Sequence, residues 1–373
     1  MTLSRTFAGD KRTISNHITS CGKLKKLSYK YFMTKKKKTL IIRILLFGGT
    51  AISMFFVPWI LVKAWILPLP DTIQKQVDQA IGHGFDGMIV YVDQGEKPPA
   101  FYTSGWKDRD NKIPADPNSL FKIASISKLY TAVAATKLVK EKRLSFDKPL
   151  TDYLPELKGR IENAEEITLK MMVQHRSGIP NYTDNPAYWL DEEGNGQNAL
   201  DFALDLPASF DPDEGYEYSN TNYLLLRRIM DDVLGYSHND YIKEKILEPL
   251  KLKNTFFSIT DVNLDDVMSG YYVGYYEDFK AREYGMLATA QDVGTFLRAL
   301  NDGSVFEEGE QEIYPYEYNH GGLVVGYQSL AEYHKDIDAV VVQFINTTDF
   351  EGYEWNLSEI TINRIVKIIR KKN

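Results

Sequence analysis

Phe121-Lys-Ile-Ala-Ser-Ile-Ser-Lys-Leu129 is the stretch on which the reading of this chain turns. After Phe121 apolar residues recur at Ile126, Leu129, Ala132, Val133 and Leu138, the spacing of a helix with a buried face. Ser125 opens that helix, and Lys128 follows one turn later, which sets its amine above the serine hydroxyl. The start of a helix carries partial positive charge and free N–H groups, both favourable to an oxyanion. A lysine neutralised by burial could take the proton from such a serine. The pair has little meaning without this context. Ser-x-x-Lys also occurs at Ser20/Lys23, Ser104/Lys107, Ser119/Lys122 and Ser145/Lys148, none of which opens a strongly apolar helix. A helix cap followed by a surface lysine is the plain alternative for Ser125 as well.

Two further elements lie downstream. Tyr218-Ser219-Asn220 is the only Tyr-x-Asn in a chain with 24 tyrosines. A tyrosinate near lysines can act as a base, and an asparagine side chain can bind a substrate amide. The alternative is a helix cap, since a helix is expected over 221–234. His320-Gly321-Gly322 begins a strand, where two glycines let a substrate approach the backbone closely.

Three motifs in this order, with a helical insert between the first two, resemble the serine β-lactamase and penicillin-recognising family. The likeness is greatest to its class C-like branch of β-lactamase-related serine hydrolases and D-Ala-D-Ala carboxypeptidases. It extends to Leu144-Ser-Phe-Asp-Lys-Pro-Leu-Thr-Asp-Tyr-Leu-Pro155, Gln174-His-Arg-Ser-Gly-Ile-Pro180, Tyr218-Ser-Asn-Thr-Asn-Tyr-Leu-Leu-Leu226 and Pro249-Leu-Lys-Leu-Lys-Asn-Thr255, covering about residues 85–370. The resemblance implies Ser125 as nucleophile, Lys128 as its base partner and Tyr218 as a second proton-transfer residue. It implies substrate binding by Asn220, His320, Gly321, Gly322 and Leu323, with the backbone N–H groups of Ser125 and Leu323 forming an oxyanion hole. It implies no cofactor and no metal.

Two departures bear on the substrate. The deacylating Glu-x-x-Leu-Asn of class A enzymes is absent, because the only Leu-Asn pair, Leu300-Asn301, has Leu297 where the acid would stand. There is also no Lys-Thr-Gly. A histidine in place of that lysine removes a permanent charge that would hold a substrate carboxylate, which favours an ester or amide over a penicillin. The expected reaction is therefore acyl transfer to Ser125 from an ester, an amide or a D-amino-acid peptide, with a cell-wall D-Ala-D-Ala peptide or other peptidoglycan fragment as the natural candidate. A β-lactamase, and a silent peptidoglycan- or partner-binding protein of the same fold, are the alternatives.

Outward from these motifs, a hairpin is expected from strands at Met88–Val92 and Ala100–Trp106, and strands return at 322–331 and 337–346, followed by a helix over 359–370. Helices fill much of the interval, near 167–175, 197–205, 221–234, 239–248 and 290–301. Strands at both ends with helices between them predict an α+β, three-layer α/β fold, in which one antiparallel sheet built from both termini carries an inserted helical lobe.

The N-terminal part has another character. Ile44–Val62 is 19 residues without a charge, about the length that crosses a bilayer as a helix. Residues 1–38 carry eleven Lys/Arg against Asp10 alone, a charge of +10, and the remainder, with 33 basic and 50 acidic residues, is −17. The positive-inside rule then puts the N-terminus in the cytoplasm and the body on the periplasmic or extracellular side of the plasma membrane. No convincing Ala-x-Ala cleavage site follows the run, so an uncleaved anchor is expected over a signal peptide. The expected organisation is a basic cytoplasmic arm (1–43), a transmembrane anchor (44–67), a linker helix (68–84) and the hydrolase domain (85–373). Met33, separated only by Thr34 from four lysines, is a second candidate start of translation. An acidic body argues against nucleic acid as a partner. Cys21 is the only cysteine, which excludes intrachain disulfides and cysteine-based zinc sites, and the six histidines form no HxxxH or HExxH pair.

Overall fold

The structure is a computed structural model that describes residues 35–185, 188 and 199–372. The expectations about Cys21, Met33 and the basic arm before residue 35 lie outside the described residues. The chain divides into two units, residues 1–58 and 59–373.

In the first unit, helix α1 (Lys35–Met54) buries none of its residues, and Leu45, Leu46, Phe47, Phe55 and Phe56 are all exposed. The 19-residue apolar run is not one helix. α1 stops at Met54, and the next helix, α2 (Trp59–Ile66), starts directly after Pro58. Proline offers no N–H to the preceding turn and its ring crowds the residue before it, so the helix breaks there. Among the described residues no single helix is long and apolar enough to cross a membrane, and α1 and α2 pass that test of length and composition only when taken together.

The second unit is built on a six-stranded, wholly antiparallel sheet. Its strands are β1 (Gly87–Gln94), β2 (Ala100–Asp108), β3 (Ile113–Pro114), β4 (His320–Val324), β5 (Tyr327–His334) and β6 (Ala339–Ile345), in the spatial order β3-β2-β1-β6-β5-β4. β1 from the front of the unit pairs with β6 from its end, Met88 opposite Ile345 and Val92 opposite Val341. The sheet therefore joins both ends of the body, as the sequence suggested. The strand expected at 322–331 is in fact two. Val325-Gly326 makes a two-residue turn, with Gly326 at φ +84°, and Val324 pairs with Tyr327 across it.

Side chains along β1 and β6 alternate between two cores. Met88, Val90, Val341 and Ile345 face helices α3 (Ile73–Ile81) and α7 (Glu354–Lys371), together with Val77, Ala80, Ile362 and Ile365. The stretch 68–84 thus contributes directly to the packing under the sheet. Arg364 of α7 ties it down, donating to Gln76 Oε1 (2.7 Å), Leu67 O (2.8 Å) and Pro68 O (2.9 Å). On the other face Ile89, Tyr91, Val340, Val342 and Phe344 meet helices α4 (Ser127–Lys140), α5 (Asn220–Leu234) and α6 (Ala290–Asp302). α4 is buried on every side from Lys128 to Leu138, a core helix rather than an amphipathic one. α5 ends at Gly235, which takes the left-handed conformation (φ 73°) common after a helix. Of the helix expected near 197–205, the described part is a single 3-10 turn, Ala199–Phe202.

Candidate active site

Ser125 sits in a sharp turn between a two-residue strand, Phe121–Lys122, and α4. Ala124 before it has φ +48°, a left-handed conformation that an alanine adopts only under the constraint of its surroundings. Edge strand β4 supplies part of that constraint. A Cβ on Gly322 would lie 2.3 Å from Ile123 O and 2.5 Å from Ser329 Oγ, so only glycine lets the strand come this close to the serine turn. Gly321 is similarly packed against Trp355. Leu323, next along the strand, borders the same cavity as Ser125.

The first two motifs converge on one oxygen. Lys128 Nζ lies 3.1 Å from Ser125 Oγ, and Tyr218, in the extended segment leading into α5, donates its O–H to the same Oγ at 2.7 Å. Asn220, the first residue of α5, accepts from Lys128 Nζ at 2.8 Å. Its own amide donates to Asn181 Oδ1 and Thr183 Oγ1, both at 3.3 Å, which fixes its orientation. A cavity of about 560 Å³ opens beside these groups, lined in part by Tyr182, Phe257, Tyr284 and Phe350.

Burial sets the charges. Lys128 is only 4 % exposed, and no carboxylate among the described residues lies within ion-pair distance of it. Desolvation, reinforced by the nearby Arg227 cation, pulls its pKa down to about 7, so close to half of the amine is neutral at that pH. Tyr218 is pushed up to about 12 by burial. It therefore stands in the free protein as a neutral hydrogen-bond donor and not as the tyrosinate that the sequence suggested.

The histidine of the third motif does not offer a free nitrogen to the cavity. Nδ1 of His320 meets the carbonyl of Gly321, which can only accept, so Nδ1 carries the proton. Nε2 then accepts from Tyr316 O–H at 2.8 Å. Beyond Tyr316 lies His175. Its Nδ1 accepts from the Ser219 N–H at 3.1 Å, which leaves the Nε2 proton pointing to the Tyr316 oxygen at 3.4 Å. A directed chain thus links the backbone between Tyr218 and Asn220 to the start of β4. Burial holds both imidazoles neutral, pulling His175 down to about 3 and His320 to about 4, with the Lys128 charge acting in the same direction.

All eight expected residues lie around the serine turn, with Ser125, Lys128, Tyr218 and Asn220 in direct contact. The sequence reading did not single out His175, Tyr316, Asn181, Thr183 or Arg227 as site residues. His175 was within a quoted stretch but carried no stated role, and nothing distinguishes Tyr316 from the other tyrosines. Arg227 had a usable signal, since it falls on the same face of α5 as Asn220 and Tyr223. Tyr182 lines the cavity, while Trp189 and residues 191–193 lie outside the described residues.

A serine gripped by a buried lysine and a tyrosine, on an antiparallel sheet joined from both ends of the domain, defines a serine hydrolase of the penicillin-recognising type. The chain belongs to the Beta-lactamase family, whose model matches residues 70–322. Among relatives, Protein flp of Staphylococcus aureus (strain MW2) is 28 % identical over 209 residues, 54 % of this chain and 42 % of its own length. Penicillin-binding protein 4* of Bacillus subtilis is 29 % identical over 177 residues, 46 % of this chain and 38 % of its own length. The chain thus spans less than half the length of these relatives. Among solved structures, D-amino acid amidase from Ochrobactrum anthropi SV3, complexed with L-phenylalanine amide, has a TM-score of 0.71 at 22 % identity, covering 80 % of this chain and 98 % of its own. A class C beta lactamase from Rhodobacter sphaeroides has a TM-score of 0.63 at 21 % identity, covering 81 % and 100 %. These two likenesses concern the fold.

Proposed function

We propose that this protein is a membrane-anchored, extracytoplasmic serine hydrolase that works through an acyl-enzyme on Ser125. Its substrate is an ester, an amide or a D-amino-acid peptide, with the D-Ala-D-Ala end of a cell-wall peptide as the natural candidate. The observation that carries this reading is the position of Ser125 Oγ between Lys128 Nζ (3.1 Å) and Tyr218 OH (2.7 Å), with the lysine pKa at about 7.

In acylation, neutral Lys128 takes the Ser125 proton as Oγ attacks the substrate carbonyl. The developing oxyanion is held by the N–H groups of Ser125 and Leu323. Tyr218 gives its proton to the leaving oxygen or nitrogen. The acyl-enzyme is left with a lysinium and a tyrosinate, each stabilising the other across the 5.0 Å between Nζ and the Tyr218 ring. In deacylation the tyrosinate takes a proton from water, the hydroxide attacks the acyl carbon, and Lys128 returns its proton to Oγ. Asn220 keeps Lys128 in place through its Oδ1, while Asn181 and Thr183 hold its amide group.

The membrane part rests on the exposed apolar surface of α1 and α2 and on the basic residues before it. The D-amino-acid part draws on the names of the relatives: a penicillin-binding protein by sequence and a D-amino acid amidase by fold. Labelling with a fluorescent penicillin and with a fluorophosphonate, followed by mass spectrometry, tests the chemistry. The adduct is expected on the Ser125 peptide and is lost in Ser125→Ala. An adduct on Ser119 or Ser145 refutes the assignment, and a folded protein with no adduct favours a binding protein without turnover.

A further inference from the structure

Arg227 projects from α5 into the wall of the cavity, seven residues beyond Asn220. Seven residues are two helical turns, a rise of about 10 Å, so Arg227 lies on the face of α5 that carries Asn220 but deeper along it. Its Nε donates to Tyr223 O at 3.2 Å, and neither terminal NH2 group has an acceptor among the described residues. No carboxylate among them is within ion-pair distance. Asp231, one turn further along the helix, adds a favourable charge but forms no ion pair with Arg227, and its Oδ1 meets the backbone N–H and Nδ1 of His238. A guanidinium half withdrawn from water without a counter-ion is costly, and its planar fork matches a carboxylate in two parallel hydrogen bonds. Thr131, His238 and Asn239 also line the cavity, whose one carboxylate among the described lining residues, Glu283, forms no ion pair with Arg227. The strand that carries the third motif offers no permanent charge, since His320 is neutral and both its nitrogens are engaged.

We propose that Arg227 binds a carboxylate carried by the acyl part of the substrate, so that this enzyme selects acyl groups with a negative charge several bonds from the carbonyl that Ser125 attacks. The inference rests on Ser125 as nucleophile and adds to it the substrate class. It differs from carboxylate binding at the third motif, because the anion lies on the acyl side, deep along α5, and not beside β4.

A matched pair of esters tests it: mono-p-nitrophenyl glutarate, with a terminal carboxylate, against p-nitrophenyl valerate, of the same chain length. The wild type is expected to favour the glutarate ester in kcat/KM by tenfold or more, and Arg227→Gln to cut that preference at least tenfold, with Arg227→Lys retaining part of it. Arg227 also acts on the charge of Lys128, and the ratio between two substrates cancels that shared effect. A ratio that stays within twofold in Arg227→Gln overturns the proposal while leaving Ser125 as nucleophile. If neither ester is turned over and no covalent label forms, the reading of Ser125 fails instead. The anion site is then read without turnover from free glutarate. A rise in the wild-type thermal midpoint that is absent in Arg227→Gln supports it, and no rise in folded wild type overturns it.

Discussion

The protonation of Lys128 should govern the rate near neutrality. A lysine at its ordinary pKa of 10.5 is neutral at pH 7 in only about one molecule in 3,000, whereas at about 7 close to half are neutral. Burial of the amine is thus worth roughly a thousandfold in base-competent enzyme. The charged and titratable groups around it leave this one transition exposed. Arg227 stays cationic, His175 and His320 titrate far below neutrality, Tyr218 titrates at about 12, and Tyr223 is pushed well above its usual value. We therefore expect log kcat/KM for p-nitrophenyl acetate to rise with unit slope from pH 5 to about 7 and then level off, with no second limb below pH 9. In Arg227→Gln the bend should move to higher pH, because the cation that helps to hold Lys128 neutral is gone. A flat profile, or a bend unmoved by that substitution, would refute the reasoning.

The same burial should be visible in stability. The folded pKa of Lys128 lies below its unfolded value, so between about pH 7 and 10.5 the unfolded chain binds more protons than the folded one. The penalty is full below pH 7 and disappears as pH rises to 10.5. Lys128→Met fills similar space without a charge. It should abolish turnover yet raise the free energy of unfolding at pH 6.5 by an amount of order 1–4 kcal/mol after loss of the amine's hydrogen bonds, seen as a higher thermal midpoint, with the gain shrinking toward pH 10. A lowered midpoint at pH 6.5 would mean that the amine is not buried as described.

Other consequences are simpler. His320→Phe leaves the Tyr316 O–H and the Gly321 carbonyl without their partner, and should lower stability by about 1–3 kcal/mol and ester turnover tenfold or more. Its pH–rate profile between 5.5 and 8.5 should match the wild type apart from scale, and a bend lost with the histidine would show that His320 titrates in the cleft after all. A chain starting at Trp59 should keep the full-length thermal midpoint, whereas one starting at Asp71 should lose about 1–3 kcal/mol because Arg364 loses Leu67 O and Pro68 O. Equal midpoints for the two truncations would make that tie irrelevant.

The chemistry was easier to read in the sequence than the arrangement that supports it, and the reason is separation along the chain. Ser125 and Lys128 act across one helical turn, so three residues of text contain their geometry. The paired strands at the two ends were legible because β1 and β6 are short, near-continuous runs of apolar and β-branched residues, as central strands covered on both faces are. The break at Pro58 and the turn at Val325-Gly326 were lost inside apolar runs, where a single proline or glycine reads as a minor interruption but ends an element. The links from Ser219 through His175 and Tyr316 to His320 span 141 residues between the two middle members alone. No local pattern marks a tyrosine that will meet a histidine across the fold. The partners of His320 were hidden for the same reason, since its orientation depends on a hydroxyl and a carbonyl that only the packing of β4 against the serine turn brings to it. The third motif therefore acts on the site through position. Gly322 admits the strand, Leu323 borders the cavity, and His320 holds the strand's first residues in register with the segment that carries Tyr218. The anion site proposed for Arg227 lies elsewhere, along α5 on the acyl side, where its terminal NH2 groups have no acceptor among the described residues.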